Sequence, residues 1–347
     1  MSVKQNKIII AIFLGIWLVP SAGMLIFGPS DAVANEIQAP FPKFVQTDGS
    51  FNLDFTAGLS DWFDDRFCLR PQLSTAWAKI NAVLFSTSVE DGVVLGSGDW
   101  LYYSDSTDDY CGILLSDEEI DKAAGKLSEI QEYCSENGIR FVFSVAPNKN
   151  SLYRDNMPAR FTPGDDSNVR RLYAKLSEMH VNCADLHSAF RDEPDVLYFR
   201  TDSHWNSKGA ALAADSILSA AGIESDYFKG TFKEGKNHTG DLYEMLYPSG
   251  EYTETDYVYS DGFTFREETN SRDGDAINFS TSCTGRNGSL LCWRDSFGNS
   301  LYPYLAEAFG NADFSRSFPY DPEKLETGDY DTVVIEIVER NISWLAQ

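Results

Sequence analysis

The sequence predicts an α/β protein with a doubly wound sheet, because helical and apolar strand patterns alternate and polar motifs follow the strands. The first helix of this alternation begins at Ser116, where Glu119 completes a capping box, and it ends at Gly138. A continuous apolar run follows at 141–145, which is typical of a strand buried on both faces of a parallel sheet. The alternation therefore predicts a sandwich with helices on both faces of one sheet.

The remaining elements are predicted in chain order. Helices are predicted over 51–67, 72–85, 167–179, 207–221 and 297–309. Strands are predicted at 181–184, 196–199, 290–293 and 332–338, with a hairpin over 93–103 around a glycine-bearing turn. The acidic and aromatic stretch 223–288 interrupts this order, and its strand-like pieces are 257–259 and 263–265. We interpret it as a strand-rich insertion beside the site.

The N-terminus predicts a membrane segment. Lys4 and Lys7 precede an uncharged apolar run that extends to residue 28 and is just long enough to span a bilayer. Positive charge before the run predicts a short cytoplasmic N-terminus, contact with the membrane through residues 8–28, and a single-pass protein with its main domain outside. The alternative is a signal peptide cleaved near Ala34, which would give a secreted protein.

These patterns divide the chain into three parts. Residues 1–28 are the transmembrane anchor or signal segment, 29–50 form a proline-containing linker, and 51–347 form one main domain that includes the insertion.

The 28 basic and 53 acidic residues give a net charge of −25, which argues against a nucleic-acid partner. The six cysteines contain no C-x-x-C pair, so we expect no metal, and no cofactor motif is evident.

Two polar motifs predict acyl-transfer chemistry. Ser296 follows the apolar run 290–293 and precedes a helix, which is where α/β hydrolytic folds place a nucleophilic serine. Asp202 and His204 lie two residues apart between a predicted strand and a predicted helix. A serine hydroxyl needs a base that removes its proton, so His204 is the predicted base. Asp202 is predicted to orient the imidazole and to stabilise its charged form.

Alternatives to this assignment remain open at the level of sequence. Asp295 could be the triad acid, but side chains of adjacent residues diverge, which favours Asp202. The oxyanion donors are predicted to be the backbone N–H of Ser296 and the amide of Asn148, which could instead only cap a turn. The other histidines, which we expect to serve packing or solubility, are His180, His187 and His238.

At these residues the chain resembles the SGNH-hydrolase-like proteins of the alginate O-acetyltransferase type, including the group named for its Asp-His-His-Trp motif. The blocks that carry the resemblance, in their expected order, are 39–42, 64–70, 96–102, 147–158, 201–209, 240–242, 294–298 and 336–340. The series covers about residues 36–345 and is more specific than any single motif. Ser203 departs from the pattern, because the family's name expects the first histidine there.

The resemblance implies an SGNH-hydrolase-like sandwich in which Asp202, His204 and Ser296 match the family's triad. It implies that the serine takes an acetyl group and passes it to a hydroxyl of an extracytoplasmic polysaccharide, with a membrane-bound O-acyltransferase as the acetyl donor. The residues assigned to oxyanion or substrate binding are Asn148, Lys149, Tyr153, Trp205, Asn206 and Arg294. Among them, the aromatic side chains are candidates for stacking on sugar rings.

Two other functions fit the same sequence. A glycan O-acetyl esterase would use the same triad with water as the acceptor, and a non-catalytic surface module would only bind a glycan. The residues after Phe309 suffice for a final strand but not for the separate carbohydrate-binding module of some relatives. The resemblance therefore does not specify alginate as the acceptor.

Overall fold

A computed structural model describes residues 3–30, 32, 37–268, 278–318, 320 and 322–347. The chain forms two compact units, one of Met1–Leu95 with Asp241–Tyr252 and one of Gly96–Gly240 with Thr253–Gln347. The predicted cleavage site near Ala34 lies outside the described residues, as does part of the predicted insertion, 269–277. The predicted domain boundaries stay predictions.

The helices and strands have the following bounds. The helices are α1 (Val3–Phe27), α2 (Phe55–Asp64), α3 (Arg70–Phe85), α4 (Thr107–Tyr110), α5 (Asp117–Glu136), α6 (Lys149–Leu152), α7 (Asn168–Glu178), α8 (Leu186–Arg191), α9 (Ser207–Ala220), α10 (Asp241–Leu246), α11 (Gly298–Ala308) and α12 (Pro322–Thr327). The strands are β1 (Val93–Leu95), β2 (Leu101–Tyr103), β3 (Arg140–Ala146), β4 (Cys183–Ala184), β5 (Phe232–His238), β6 (Glu254–Tyr259), β7 (Arg266–Glu267), β8 (Asn278–Ser282), β9 (Ser289–Trp293), β10 (Asn311–Ser315) and β11 (Thr332–Val338).

The unit that contains the N-terminus holds the apolar helix α1. Its stretch Lys4–Phe27 has a mean hydropathy of 2.3, and it is long and apolar enough to cross a membrane. A signal sequence has the same properties, so the choice between anchor and signal stays open. In the same unit, Thr75 of α3 accepts hydrogen bonds from the backbone and hydroxyl of Ser249.

The other unit is built on a sheet with the strand order β4-β3-β11-β9-β10-β8-β7. Strands β4, β3, β11, β9 and β10 are parallel, whereas β8 and β7 pair in antiparallel fashion at one side. Strand β11 is buried throughout, as a strand with helices on both faces must be. The predicted doubly wound sandwich is confirmed.

Alternate side chains of β3 show where the two faces pack. Val142 and Ala146 contact the cluster that includes α8, α9 and α11, while Phe143 and Val145 contact the cluster formed with α5 and α7. Successive side chains of a strand point to opposite faces, so one apolar run supplies both cores. The capping box of Ser116 is present and begins α5 as predicted.

The segment predicted as a strand at 196–199 is not one. It makes only an isolated bridge, between Tyr198 and Trp205, because the chain turns back on itself. The N–H of Phe199 donates to the carbonyl of His204, and the N–H of Asn206 donates to that of Leu197. These bonds close the loop that carries Asp202. The predicted strand-like piece 263–265 is also wrong, since β7 begins only at Arg266.

Candidate active site

The turn between β9 and α11 places Ser296 at the carboxyl edge of the sheet. Asp295 holds this turn, because its carboxylate accepts hydrogen bonds from the N–H of Phe297 at 2.9 Å and that of Val338 at 2.7 Å. Gly298 is required for the geometry, since a Cβ there would lie 2.3 Å from the Arg294 side chain. Asp295 is thus occupied by the turn and by the end of β11, which argues against the alternative that it is the triad acid.

A chain of hydrogen bonds joins the three residues predicted as a triad. His204 Nε2 lies 2.8 Å from Ser296 Oγ, and His204 Nδ1 lies 2.7 Å from Asp202 Oδ1. Both distances are within the range for proton transfer between a nucleophile, a base and its orienting acid. The ring of Phe297 packs against His204 with centroids 4.7 Å apart. The structure therefore brings together the predicted nucleophile, base and acid, although they lie up to 94 positions apart.

Asp202 is 5% exposed and is nevertheless favoured in its charged form. Burial by itself raises the pKa of this carboxyl, but hydrogen bonds and charges from His204 and His238 outweigh burial and hold the pKa well below its ordinary value. A carboxylate in this state can orient an imidazole and stabilise the imidazolium that forms when the serine loses its proton.

The second histidine on Asp202 is a residue that sequence reasoning missed. His238 Nε2 lies 2.8 Å from Asp202 Oδ2, and its ring stacks on Phe199 with centroids 3.6 Å apart. Packing or solubility, the role that we expect of His238, does not account for its contact with the carboxylate. Its position 34 residues after His204, inside an irregular segment, offers no spacing that could have indicated it.

Lys149 lies under the loop that carries Asp202. Its ammonium group is buried and donates to the backbone carbonyls of Phe199 at 3.1 Å, Arg200 at 2.9 Å and Asp202 at 2.5 Å. An ammonium has three N–H donors, and these three carbonyls match them. This side chain therefore holds the loop in place, and its predicted contact with substrate stays a prediction.

Arg294 is also a supporting residue. Its guanidinium donates to Asn299 Oδ1 at 2.6 Å and to the carbonyl of Asp295 at 3.0 Å, and it lies over the ring of Phe279. Burial is the largest influence on its pKa, which it lowers. The side chain supports the turn that carries Ser296, and its predicted role in binding substrate or the oxyanion stays a prediction.

Three further predicted residues hold the site from within the core. Trp205 is 1% exposed, and its indole N–H donates to Ser300 Oγ at 2.7 Å, so a sugar ring cannot stack on it. Tyr153 packs on Trp100, and its hydroxyl accepts the N–H of Leu197. Asn206 caps α9, since its side-chain oxygen accepts the N–H of Gly209. These contacts are structural, and the predicted roles of Tyr153 and Asn206 toward the substrate stay predictions.

Asn148 keeps the properties of an oxyanion donor. It follows β3 at the carboxyl edge of the sheet, and its backbone N–H donates to Glu339 Oε2 at 2.7 Å. Its side-chain amide is buried and has no hydrogen-bond partner among the described residues. A buried amide without a partner is costly, which fits a group that a reaction intermediate would satisfy. The role of Asn148 stays a prediction.

Comparison with known proteins identifies a family over more than half of the chain. Residues 93–277 match the model described as "SGNH hydrolase-like domain, acetyltransferase AlgX". A probable alginate O-acetylase AlgJ from Pseudomonas syringae pv. tomato is 26% identical over 219 residues, which cover 61% of this chain and 51% of that protein. The chain thus spans about half the length of this curated relative.

Solved structures show the same fold at low sequence identity. PatB1 of Bacillus cereus superposes with a TM-score of 0.57 at 17% identity and covers 72% of this chain and 96% of its own. A DHHW family protein from Eubacterium siraeum gives a TM-score of 0.54 at 17% identity, with 72% of this chain and 91% of that protein covered. The predicted resemblance to SGNH-hydrolase-like proteins of the alginate O-acetyltransferase type is confirmed.

Proposed function

The chain belongs to the family of SGNH hydrolase-like domains described for the acetyltransferase AlgX, and from this premise we propose that it is a polysaccharide O-acetyltransferase with Ser296 as its nucleophile. The observation that carries the proposal is the continuous hydrogen-bonded chain from Asp202 through His204 to Ser296. A hydroxyl in this setting can attack a carbonyl near neutral pH, because the base is already in contact with its proton.

In the first half of the proposed reaction, Ser296 Oγ attacks the carbonyl carbon of an acetyl donor while His204 Nε2 takes the hydroxyl proton. Asp202 stabilises the resulting imidazolium, and the backbone N–H of Ser296 and the amide of Asn148 donate to the oxyanion. His204 then returns the proton to the leaving group, which departs and leaves an acetyl ester on Ser296.

In the second half, a hydroxyl of the acceptor glycan attacks this ester and gives its proton to His204. The oxyanion collapses, the bond to Ser296 Oγ breaks, and His204 returns the proton to the serine. Transfer requires that the glycan hydroxyl reaches the ester before water does. The acceptor in this proposal is an exported or cell-envelope polysaccharide.

The proposed location is outside the cytoplasm, with α1 either as a single membrane anchor or as a cleaved signal. The two lysines near the start of α1 and the uncharged apolar run that follows them support this topology. A membrane-bound O-acyltransferase is the proposed source of acetyl groups, because acetyl donors such as thioesters are made in the cytoplasm and an outer domain needs delivery across the membrane.

The test uses the detergent-solubilised full chain with p-nitrophenyl acetate, with and without oligosaccharide acceptors, and Ser296→Ala as the control. We expect an acetyl adduct on the wild-type protein, acetylated oligosaccharide as product, and neither with the variant. Acetate as the sole product in the presence of every acceptor would instead indicate an esterase. Glycan binding without turnover, unaffected by Ser296→Ala, would indicate a binding module.

A further inference from the structure

The hairpin of β5 and β6 clamps the loop that carries the triad acid. Glu254, the first residue of β6, accepts hydrogen bonds from the N–H of Arg200 at 2.7 Å and from that of Thr201 at 2.9 Å, and also from the Thr201 hydroxyl. Asp256, two residues further along, accepts from the hydroxyl of Ser207 at 2.8 Å. The hairpin belongs to the stretch predicted as an insertion, and it forms hydrogen bonds with the chain on both sides of Asp202.

The same hairpin places the side chain of His238 next to Asp202. The pairing of β5 with β6 shifts its register between Lys236 and His238, and such an irregularity changes the direction of the side chain that follows it. Gly240 then passes so close to the loop that a Cβ there would lie 2.1 Å from the carbonyl oxygen of Thr201. Only a glycine allows this approach, which brings the imidazole within 2.8 Å of Asp202 Oδ2.

Both oxygens of Asp202 are consequently held by imidazoles. His204 Nδ1 lies against Oδ1, and His238 Nε2 lies against Oδ2. The carboxylate cannot rotate without breaking one of these hydrogen bonds, so His238 fixes the plane in which Asp202 holds the base. The ring of Phe199, stacked on His238, fixes the imidazole in turn.

The charges around His238 favour its protonated form. The acidic groups that face it are Asp202, Glu254 and Asp256, while His204 lies across the carboxylate of Asp202. Burial lowers the pKa of His238, but the hydrogen bond and charge of Asp202 outweigh burial, and the net pKa is raised. When His238 is protonated, its positive charge offsets part of the negative charge of Asp202 that acts on His204.

We propose that His238 is a positioning residue for the serine chemistry and keeps the carboxylate of Asp202 in place. When His238 is protonated, its charge weakens the attraction between Asp202 and the proton of His204. This inference rests on the proposed function. It implies that the serine stays activated further into the acid range when His238 carries its charge than when that charge is removed.

The experiment measures how fast phenylmethylsulfonyl fluoride sulfonylates Ser296 in the full chain, by intact mass from pH 5 to pH 9, together with kcat/KM for p-nitrophenyl acetate. His238→Ala is expected to slow labelling by about 10- to 100-fold, because a small displacement of an acid–base pair has effects of this size. His238→Gln keeps a donor at the same reach but no charge. It is expected to restore most of the rate and to move the acid limb about 0.5–1 pH unit upward.

The matched control is His180→Asn, at an exposed histidine with φ of 56° that asparagine tolerates. It should leave rate and pH profile unchanged. The inference is overturned if folded His238→Ala labels at the wild-type rate, or if His238→Gln neither restores the rate nor moves the acid limb. Failure of the proposed function looks different: the wild type would be sulfonylated on Ser296 but transfer no acetyl group. A wild type that is not sulfonylated overturns both.

Discussion

Two buried carboxylates in the same unit contact histidines, and only one of them leads to a serine that can act as a nucleophile. Asp202 lies between His204 and His238, and His204 contacts Ser296 Oγ. The other carboxylate is Glu339, which directly follows β11 and is 2% exposed. A histidine and a serine hydroxyl lie near both carboxylates, but the order in which these groups contact one another differs.

Three contacts of Glu339 converge on one oxygen. Oε2 accepts the N–H of Asn148 at 2.7 Å and the hydroxyl of Ser151 at 2.8 Å, and it lies 3.4 Å from His187 Nε2. Asp109 is its acidic neighbour. A cavity of about 490 Å³ is lined by Asp109, Ser151, His187 and Glu339, together with Arg154, Asp185 and other side chains.

The difference between the clusters lies in the order of the groups. In the first, the imidazole stands between the carboxylate and the serine, so it can take the hydroxyl proton. In the second, the hydroxyl of Ser151 donates directly to the carboxylate, and His187 approaches the same oxygen from another side. A buried pair of acid and imidazole is therefore not sufficient for nucleophilic catalysis; the imidazole must lie in between.

Replacing the carboxylate with an amide in each cluster tests this comparison, and the greatest loss of activity is expected at Asp202. Asp202→Asn should reduce kcat for p-nitrophenyl acetate by about 10⁴-fold, because an amide no longer holds the base in its productive tautomer. Initial rates and sulfonylation of Ser296 measure the loss, and circular dichroism checks that the variant is folded. A folded variant with a rate within tenfold of the wild type would remove Asp202 from the triad.

Glu339→Gln is the matched change in the second cluster and should behave in the opposite way. The rate should stay within about tenfold, while the free energy of unfolding falls by about 1–3 kcal/mol, because charge-assisted hydrogen bonds from Asn148 and Ser151 become weaker. Chemical denaturation measures the stability. If kcat instead falls as far as in Asp202→Asn, Glu339 belongs to the catalytic machinery and the contrast between the clusters is lost.

The smallest expected effect concerns Asp109 and the pH dependence of stability. Burial, together with the charge of Glu339, raises the pKa of Asp109 to about 7. The folded state therefore binds more protons than the unfolded state between about pH 4 and pH 7, and this carboxyl makes the protein less stable as pH rises through that window. Asp109→Asn keeps an oxygen for the N–H of Asn168 and removes the titration.

The melting temperature of Asp109→Asn should accordingly fall less than that of the wild type between pH 4.5 and pH 8. Glu339 does not interfere in this window: burial raises its pKa, but His187 and its hydrogen bonds outweigh burial and lower it. Its contribution is present above the unfolded pKa and is lost only as pH falls through a lower folded value. Parallel melting curves for the two proteins across this range would refute the assignment.

Errors in the predicted elements have local physical causes. The apolar run 196–199 has strand composition, yet the N–H of Phe199 donates to the carbonyl of His204 within a loop, and the N–H of Leu197 donates to the Tyr153 hydroxyl. Strand β10 (Asn311–Ser315) was missed because its polar residues give no apolar run, although it pairs in parallel with β9. The apolar composition of a segment indicates whether it is buried, whereas its pairing as a strand depends on segments far along the chain.

Features that depend on neighbours in the chain could be predicted from the sequence. Capping at Ser116, the apolar strands, the strand-to-helix turn at Ser296 and the spacing of Asp202 and His204 are all local, and parallel strands bring their carboxyl ends to one edge. These rules sufficed for the sandwich and for the three residues of the proposed triad.

The surroundings of those residues depend on long-range packing. The contact of His238 with Asp202 requires a register shift in one hairpin and a close approach at Gly240, and the ammonium of Lys149 meets carbonyls about 50 residues away. Such contacts depend on how separate segments pack, and no period or spacing in the sequence records that packing. The same reason explains why Glu339 and His187 came together unpredicted.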